Sequence, residues 1–168
     1  PQPSISVRVV ENPARQVWST FWNDGYGFQE FVNKEWVRYP IPASIEGVTE
    51  YINNTLPFTS LQKDRVLFLS TDRLFVFTKD PVQVGVIQTA DDLGIGSLLD
   101  MTSVNAAGAW ICGERGIAFY DKNQQSVQTV HTSQNHRAFQ NLVISKDTIF
   151  VTGLNNQTSQ RELIQVTD

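Results

Sequence analysis

Two stretches of sequence that align without a gap decide the fold of this chain. Residues 59–70 read TSLQKDRVLFLS, and residues 102–113 read TSVNAAGAWICG. Each begins with Thr-Ser and an apolar residue, passes through a turn and ends in an apolar run. Short apolar runs between turn residues are typical of β-strands. The alignment continues from residues 73–77 to residues 116–120, so the repeated unit holds more than one hairpin.

Two more copies extend the repeat over the whole chain. Residues 142–152 follow the same pattern and, more loosely, so do residues 7–20 at the front. Equivalent large residues recur at spacings of 49, 43 and 40 residues. They are Trp18, Leu67, Trp110 and Phe150. Four-stranded propeller blades repeat at about 40–50 residues, whereas a barrel or sandwich has no reason to repeat at that length. The alternative is chance similarity among short apolar strands.

We therefore predict an all-β domain of about four four-stranded blades of the β-propeller type. The expected blades cover approximately residues 4–45, 59–90, 101–132 and 141–168. In the third blade the four residues Gly113–Gly116 form the turn between the middle strands, where we expect glycine to adopt positive φ.

The last unit ends after three strands, so we expect its outer strand to come from elsewhere. Unpaired strand edges favour aggregation, and propellers remove them by closing the ring. Three arrangements stay open: part of a larger propeller, association with a second copy, or a small ring that residues 1–6 or a neighbouring chain complete.

Composition excludes several classes of partner. The net charge is −4, and the 13 basic residues form no stripe, so nucleic acid is not an expected partner. No apolar run approaches the ~20 residues of a membrane span, and no signal peptide is recognisable. The chain opens at Pro1 without an initiator Met, from which we expect a processed or trimmed product.

One motif resembles a known family. Residues 100–102 read DMT and residues 108–121 read GAWICGERGIAFYD, which resembles the two-component regulator propeller repeat, G-x-x-W-I-G-T-x-x-G-L-x-x-Y-D. Here Cys112-Gly113-Glu114 shifts the usual Gly-Thr pair by one position. The resemblance implies a periplasmic or extracellular sensor module of a bacterial signalling protein. Such modules often recognise carbohydrate or other nutrients and signal through parts that this chain does not contain.

We expect no metal, no cofactor and no catalytic group. His131 and His136 are five residues apart, whereas a metal-binding pair favours i,i+2 on a strand or i,i+4 on a helix. Residues 91–97, DDLGIGS, lack the spacing of a calcium or phosphate loop. Cys112 lies in an apolar run, so a buried inert thiol is expected; a reactive thiol would need a nearby His or helix start.

A ligand site is expected at one end of the blades. In a propeller, the turn between the second and third strands lies at the same end as the connection to the next blade. That end should gather charged and polar side chains around the channel, although a solvated loop surface is the alternative. From the turns we expect Asp24, Arg73, Glu114 and Arg115, and from the connections Asp91, Asp92, His131, His136 and Arg137.

The tryptophans could instead stack on a sugar. Trp18 and Trp110 hold equivalent repeat positions, so we assign both to the core between blades. Trp22 and Trp36 are less constrained, and for them too we expect core positions, because large aromatic side chains fill the space between sheets.

Three functions follow from these observations. The first is a non-enzymatic sensor that binds a small molecule or carbohydrate. The second is a protein-interaction scaffold with an exposed apolar patch. The third is a propeller-fold glycan hydrolase or lyase, since propellers also host enzymes. Its candidate carboxylates are Asp24, Asp91, Asp92 and Glu114.

Overall fold

The prediction of an all-β architecture is confirmed. The structure, a computed structural model, describes residues 9–21, 25–42, 58–105, 107–145 and 148–166, with only the backbone of residues 104 and 105. In these ranges the chain forms four antiparallel sheets, three with four strands and one with three, and each strand pairs with its neighbour in sequence. Such meanders of short strands are the blades that the repeat predicts.

The strands have the following bounds. The first sheet comprises β1 (Val9–Glu11), β2 (Val17–Phe21), β3 (Gly27–Val32) and β4 (Glu35–Pro40). The second comprises β5 (Phe58–Gln62), β6 (Arg65–Leu69), β7 (Arg73–Lys79) and β8 (Val82–Thr89). The third comprises β9 (Leu98–Asn105), β10 (Gly108–Gly113), β11 (Gly116–Asp121) and β12 (Ser126–Thr132). The fourth comprises β13 (His136–Ser145), β14 (Thr148–Asn155) and β15 (Arg161–Val166).

One short helix, α1 (Ala90–Leu93), lies in the connection between the second and third sheets. Within the described ranges no helix has the length and apolar character to cross a membrane.

The strand register reproduces the sequence alignment. Leu67 of β6 lies opposite Val76 of β7, and Trp110 of β10 lies opposite Phe119 of β11. Both members of the second pair follow those of the first by the 43-residue repeat. Equivalent positions of the sequence therefore occupy equivalent positions in their sheets.

Consecutive sheets pack face to face through three apolar clusters. Trp18 and Phe28 of the first sheet meet Phe58, Phe68 and Phe77 of the second. The cluster between the second and third sheets includes residues of α1 and of the connection that follows it. It contains Leu61, Leu67, Leu69, Leu74, Ala90, Leu93, Ile95, Leu98, Met101, Ala109, Ile111, Ala118 and Tyr120. The cluster between the third and fourth sheets contains Cys112, Ile117, Phe139, Leu142, Val151 and Val166.

The four sheets do not close into a ring. Each of the three clusters joins neighbouring sheets, and among the described residues none joins the fourth sheet to the first. We call the face of a sheet that points to the next sheet along the chain its forward face, and the opposite face its backward face.

The tryptophan assignments are correct in part. Trp18 is fully buried between the first two sheets, and Trp110 is half-buried against the third cluster. The core position expected for Trp36 is wrong: its side chain is 41% exposed at the outer strand β4, where it packs on Phe31. Trp22 lies outside the described residues.

The turn Gly113–Gly116 lies where the repeat predicts it, but the reason given for its glycines is wrong. Neither glycine has positive φ. Both are needed because the backbone of a neighbouring segment approaches closely. A Cβ on Gly113 would lie 2.6 Å from the Ile95 carbonyl oxygen, and one on Gly116 would lie 2.2 Å from the His131 carbonyl oxygen.

Candidate functional site at the connection end

Turns and connections meet at one end of the molecule, as predicted. The amide of Ala90 donates to the Asp72 carbonyl oxygen, and the amide of Leu98 donates to that of Thr71, both at 2.8 Å. These bonds fix the β6–β7 turn to the connection that follows β8. We call this end of the molecule the connection end. It comprises the turns at residues 70–72, 114–115 and 156–160 and the connections at residues 90–97 and 133–135.

The β10–β11 turn lies between two connections. Its Glu114 amide donates to the Ser97 carbonyl oxygen at 2.8 Å, and its Arg115 amide donates to that of Ile95 at 2.7 Å. On the other side, the Arg115 carbonyl oxygen accepts from Ser133 at 3.0 Å, and that of Glu114 accepts from Ala138 at 2.7 Å. The backbone of this turn is therefore held on both sides while its two charged side chains stay exposed.

Gly96 makes room for those side chains. A Cβ on Gly96 would lie 3.0 Å from the Glu114 Cβ and 3.3 Å from the Arg115 Nε. Its φ of +71° is also a conformation that favours glycine. The connection thus passes directly beneath the charged turn.

Asp91 and Asp92 lie on α1 rather than on an irregular loop. Thr89 caps the helix: its hydroxyl accepts from the Asp92 amide at 3.2 Å and donates to Asp92 Oδ2 at 2.6 Å. Gly94, with φ +67°, ends the helix after one turn. Both carboxylates are exposed, and Asp92 is held by its capping contact.

Arg73 begins β7 instead of lying in the preceding turn. Its Nε is 3.3 Å from Asp72 Oδ2, and both side chains are about half exposed. An exposed ion pair of this kind contributes little to stability. The guanidinium therefore remains available for other hydrogen bonds.

The two histidines and Arg137 were expected in a connection, and that placement is wrong. His131 is in β12, and its ring packs edge-on against Phe139 with centroids 6.1 Å apart. His136 and Arg137 begin β13, because pairing with β14 extends that strand back to His136 opposite Asn155. Arg137 is exposed, whereas both histidines are half-buried.

His136 belongs to a small polar network. Its Nε2 is 3.0 Å from Glu162 Oε2, and Asn155 Nδ2 donates to Glu162 Oε1 at 2.9 Å. Its Nδ1 is 3.3 Å from Ser133 Oγ. A serine, a histidine and a carboxylate in series invite comparison with a hydrolytic triad.

The hydrogen bonds of Ser133 assign it another role. Ser133 Oγ accepts from the backbone amides of Asn135 at 3.2 Å and His136 at 3.1 Å. These bonds hold the short connection between β12 and β13 in a tight turn. They occupy the hydroxyl lone pairs, which a serine nucleophile needs free.

The structure therefore brings together most, but not all, of the predicted site. Asp91, Asp92, Glu114 and Arg115 lie on a connection and a turn that share hydrogen bonds, and Arg73 and Arg137 lie at the starts of strands at the same end. Asp24 is outside the described residues. In the described part of the chain, no three His, Cys, Asp or Glu side chains converge as metal ligands would.

Sequence reasoning missed Asp72, Glu162 and Asn155 at this end. Asp72 adjoins Arg73, so an adjacent acid–base pair in a turn was a usable signal. Glu162 is 26 residues from His136 and meets it only through the register of three strands. No local pattern contains that register.

A second feature lies at the opposite end, between the second and third sheets. A small cavity of about 10 Å³, room for one water molecule, is mostly apolar but also touches two cations. Its lining residues are Leu61, Gln62, Arg65, Leu67, Val76, Tyr120 and Lys122. Arg65 Nε is buried with no hydrogen-bond acceptor among the described residues. Burial raises the pKa of Tyr120, and the Arg65 charge opposes this rise.

The fold has relatives of known structure, although no family model and no curated protein matches this chain. One is the extracellular domain of BT3049 from B. thetaiotaomicron, described as a hybrid two component system, with 13% identity and a TM-score of 0.55. Two others are structures of the extracellular domain of BT4673 from the same organism, described as a one component system in one case and a hybrid two component system in the other. They have 14% and 12% identity and TM-scores of 0.54 and 0.58.

These matches cover nearly all of this chain and a minor part of each relative. They span 97%, 97% and 100% of this chain, but only 25%, 24% and 23% of the respective structures. The chain thus corresponds to about a quarter of the length of these domains. Its succession of antiparallel sheets is a fold that extracellular domains of two-component-type systems contain, as the repeat motif at residues 108–121 implied.

Proposed function

We propose that this chain is part of a non-enzymatic, extracytoplasmic ligand-recognition module of a bacterial two-component-type regulator. The observation that carries the proposal is the match of nearly the whole chain to extracellular domains described as parts of such systems. The repeat motif at residues 108–121 supports it independently. In this proposal the chain works outside the cytoplasm, and its signalling partners lie in other polypeptide segments.

The connection end is the ligand site in this proposal. Exposed charges of both signs stand there on a backbone that hydrogen bonds hold in place. A preorganised polar surface loses little conformational entropy when it binds. Arg73 and Arg115 present planar guanidinium groups, which form paired hydrogen bonds with carboxylates and other oxygen groups. A carbohydrate, especially one that carries a carboxylate, fits this chemistry.

Calorimetric titration with a panel of neutral and acidic oligosaccharides tests the proposal. We expect one class of sugar to bind, and Arg115→Ala to weaken that binding by about tenfold, the loss of one or two charge-assisted hydrogen bonds. Arg15→Ala is the matched control, because Arg15 is exposed in the β1–β2 hairpin at the opposite end. Equal affinity of wild type and the Arg115→Ala variant would place the ligand elsewhere, and no binding by the panel would contradict a carbohydrate ligand.

The same titrations examine the enzymatic alternative. Asp91, Asp92 and Glu114 are exposed at the connection end, where a glycan hydrolase or lyase would need two carboxylates on either side of the bond that breaks. In our proposal a bound sugar is recovered unchanged. The enzymatic alternative would be favoured if the protein released cleaved sugar products and if Asp92→Asn or Glu114→Gln abolished that release.

One observation favours the scaffold alternative. Phe31 and Trp36 pack with ring centroids 5.2 Å apart and ring planes tilted by 54° at the outer edge of the first sheet, and their side chains are 43% and 41% exposed. Exposed aromatic pairs of this kind are enriched at protein interfaces. The scaffold alternative would be supported if Trp36→Ala abolished binding of a protein partner and left sugar binding intact.

A further inference from the structure

The small cavity between the second and third sheets has a counterpart between the first and second sheets. The 49-residue spacing of the first two repeats relates its Arg65 to Gln16, and the 43-residue spacing of the second and third repeats relates its Lys122 to Lys79. The first member of each interface precedes or opens the second strand of its sheet, and the lysine ends or follows the third strand of the next sheet. The two interfaces can therefore be compared residue by residue.

In the interface between the first and second sheets the chain supplies its own anion. Glu30 of β3 lies opposite Trp18 of β2, on the forward face of the first sheet, and is buried. Lys79 Nζ of the second sheet is 2.6 Å from its Oε2, and Gln16 Nε2 of the first sheet donates to its Oε1 at 2.6 Å. Side chains from both sheets therefore meet on one carboxylate.

The interface between the second and third sheets lacks that carboxylate. Val76 of β7 has the position of Glu30, because it lies opposite Leu67 just as Glu30 lies opposite the equivalent tryptophan. Val76 and Leu67 both line the cavity. Valine is shorter than glutamate and uncharged, so the cavity lies where the first interface holds its acidic side chain.

The two cations of the cavity are left without a counter-charge. Arg65 Nε is buried with no acceptor, and neither Arg65 nor Lys122 forms an ion pair in the part of the chain that the structure describes. Both residues are half-buried. The acid that precedes Lys122, Asp121, is engaged elsewhere: its Oδ1 accepts from the backbone amides of residues 123 and 124. Half-buried charges of one sign are costly without an anion between them, because they repel each other and have lost part of their water.

We propose that this cavity binds one small monovalent anion, which takes the place that the Glu30 carboxylate has in the neighbouring interface. Arg65 donates to the anion from the second sheet and Lys122 from the third, as Gln16 and Lys79 contact Glu30 from their two sheets. The cavity volume of about 10 Å³ admits one small particle and excludes a larger acid, so chloride is the simplest such anion. A water molecule would also accept from Arg65 Nε, but it would leave both positive charges uncompensated.

Urea denaturation in two sodium salts at one ionic strength tests the proposal. Chloride is the probe, and methanesulfonate, which is too large for the cavity, is the reference anion. We expect the folding equilibrium constant of the wild type to be about tenfold larger in chloride, the effect of a ligand that binds only the folded state at about ten times its dissociation constant. Lys122→Met removes one of the two cations and should bring this ratio close to one.

Val76→Glu supplies the missing carboxylate from the chain itself, so its folding equilibrium constant should be the same in both salts. Val86→Glu is the matched control: it makes the same substitution at a position 51% exposed on the outer strand β8 and should keep the wild-type ratio. Lys122→Met adds no carboxylate and decides the question if Val76→Glu does not fold. Equal stability of the wild type in the two salts would overturn the proposal and assign the cavity to water. A chloride effect that persists in both Val76→Glu and Lys122→Met would overturn it as well, since the anion would then bind elsewhere.

Discussion

Lys79 shows how one side chain can join two sheets. Its Nζ is 2.6 Å from Glu30 Oε2 of the first sheet, and it lies 5.4 Å and 5.7 Å from the ring centroids of Trp18 and Tyr39. The Glu30 side chain is only 4% exposed, and its other oxygen accepts from Gln16 at 2.6 Å. A buried carboxylate depends on such partners, because water cannot replace them.

Removal of that cation should be costly. We expect Lys79→Met to destabilise the chain by about 3 kcal/mol, since Glu30 then stays buried without a counter-charge. The double variant Lys79→Met with Glu30→Gln should recover much of this loss. Urea denaturation measures both. Arg15→Ala, which breaks the exposed pair with Glu11, is the control and should cost less than about 1 kcal/mol. Equal losses of unfolding free energy for Lys79→Met and Arg15→Ala would contradict this view of the buried pair.

Cys112 should be unreactive in the folded protein, as its sequence context suggests. Burial, with a smaller contribution from the Asp100 carboxylate, raises the pKa of its thiol from 9.0 to about 12. We expect no reaction with Ellman's reagent at pH 8 in the native state and one thiol in urea, because the thiolate is the reacting species. Rapid native labelling would show that the cluster between the third and fourth sheets opens readily.

The same shift predicts a pH dependence of stability. The folded state holds the thiol proton more tightly than the unfolded state does. The stabilisation that this thiol contributes is therefore complete below about pH 9 and decreases between pH 9 and about 12. Comparison of wild type with Cys112→Ala over this range isolates the contribution, since other alkaline groups titrate in both. If the unfolding free energies of wild type and Cys112→Ala changed in parallel from pH 9 to about 12, the raised pKa of Cys112 would be contradicted.

At the scale of the strand, Gly116 is needed for close pairing of β11 with β12. We expect Gly116→Ala to destabilise the chain by about 2 kcal/mol or more, because the added Cβ would lie 2.2 Å from the His131 carbonyl oxygen and force the strands apart. Gly85→Ala is the control: its Cβ would lie 3.7 Å from Val76 Cγ1, an ordinary contact. Thermal unfolding compares the two. A Gly116→Ala variant as stable as the Gly85→Ala variant would mean that the strands separate at little cost.

The inner strands such as β6, β7, β10 and β11 were predictable, because each contains a short apolar run with turn residues nearby, whereas outer strands such as β4 and β15 carry mixed polar sequences that gave no such signal. What the sequence did not reveal was the register between strands. The backward extension of β13 to His136 depends on pairing with β14, and the Glu162 contact depends on β15 as well. The error about Gly113 and Gly116 has a similar origin. A glycine in a turn suggests positive φ, whereas the close approach of a distant segment is a tertiary feature.

For the whole molecule, the linear order of sheets predicts a gradient of local stability. The second and third sheets are covered on both faces, whereas the fourth is covered on one. We expect amide hydrogen exchange to be slowest in β6, β7, β10 and β11 and much faster in β15, because local opening costs least where fewest apolar contacts are lost. Exchange as slow in β15 as in β10 would indicate that another part of the assembly covers the fourth sheet.

The repeat also explains how far the molecule could be predicted as a whole. The forward orientation of Trp18 and Trp110 follows from their equivalent positions, and the connection end follows from the order of turns and connections. The exposure of Trp36 could not be predicted from the repeat. Trp36 lies on an outer strand, and the repeat does not specify what packs against an outer strand. The location of the candidate site was therefore accessible from sequence, and its individual contacts were not.

The β10–β11 turn has a mechanical consequence. Its backbone is bonded on one side to the connection from the second sheet and on the other to the connection into the fourth. A displacement of the Arg115 backbone would therefore strain hydrogen bonds to both connections. The turn therefore acts as a brace between the two connections, and the second, third and fourth sheets share one anchoring point at the connection end.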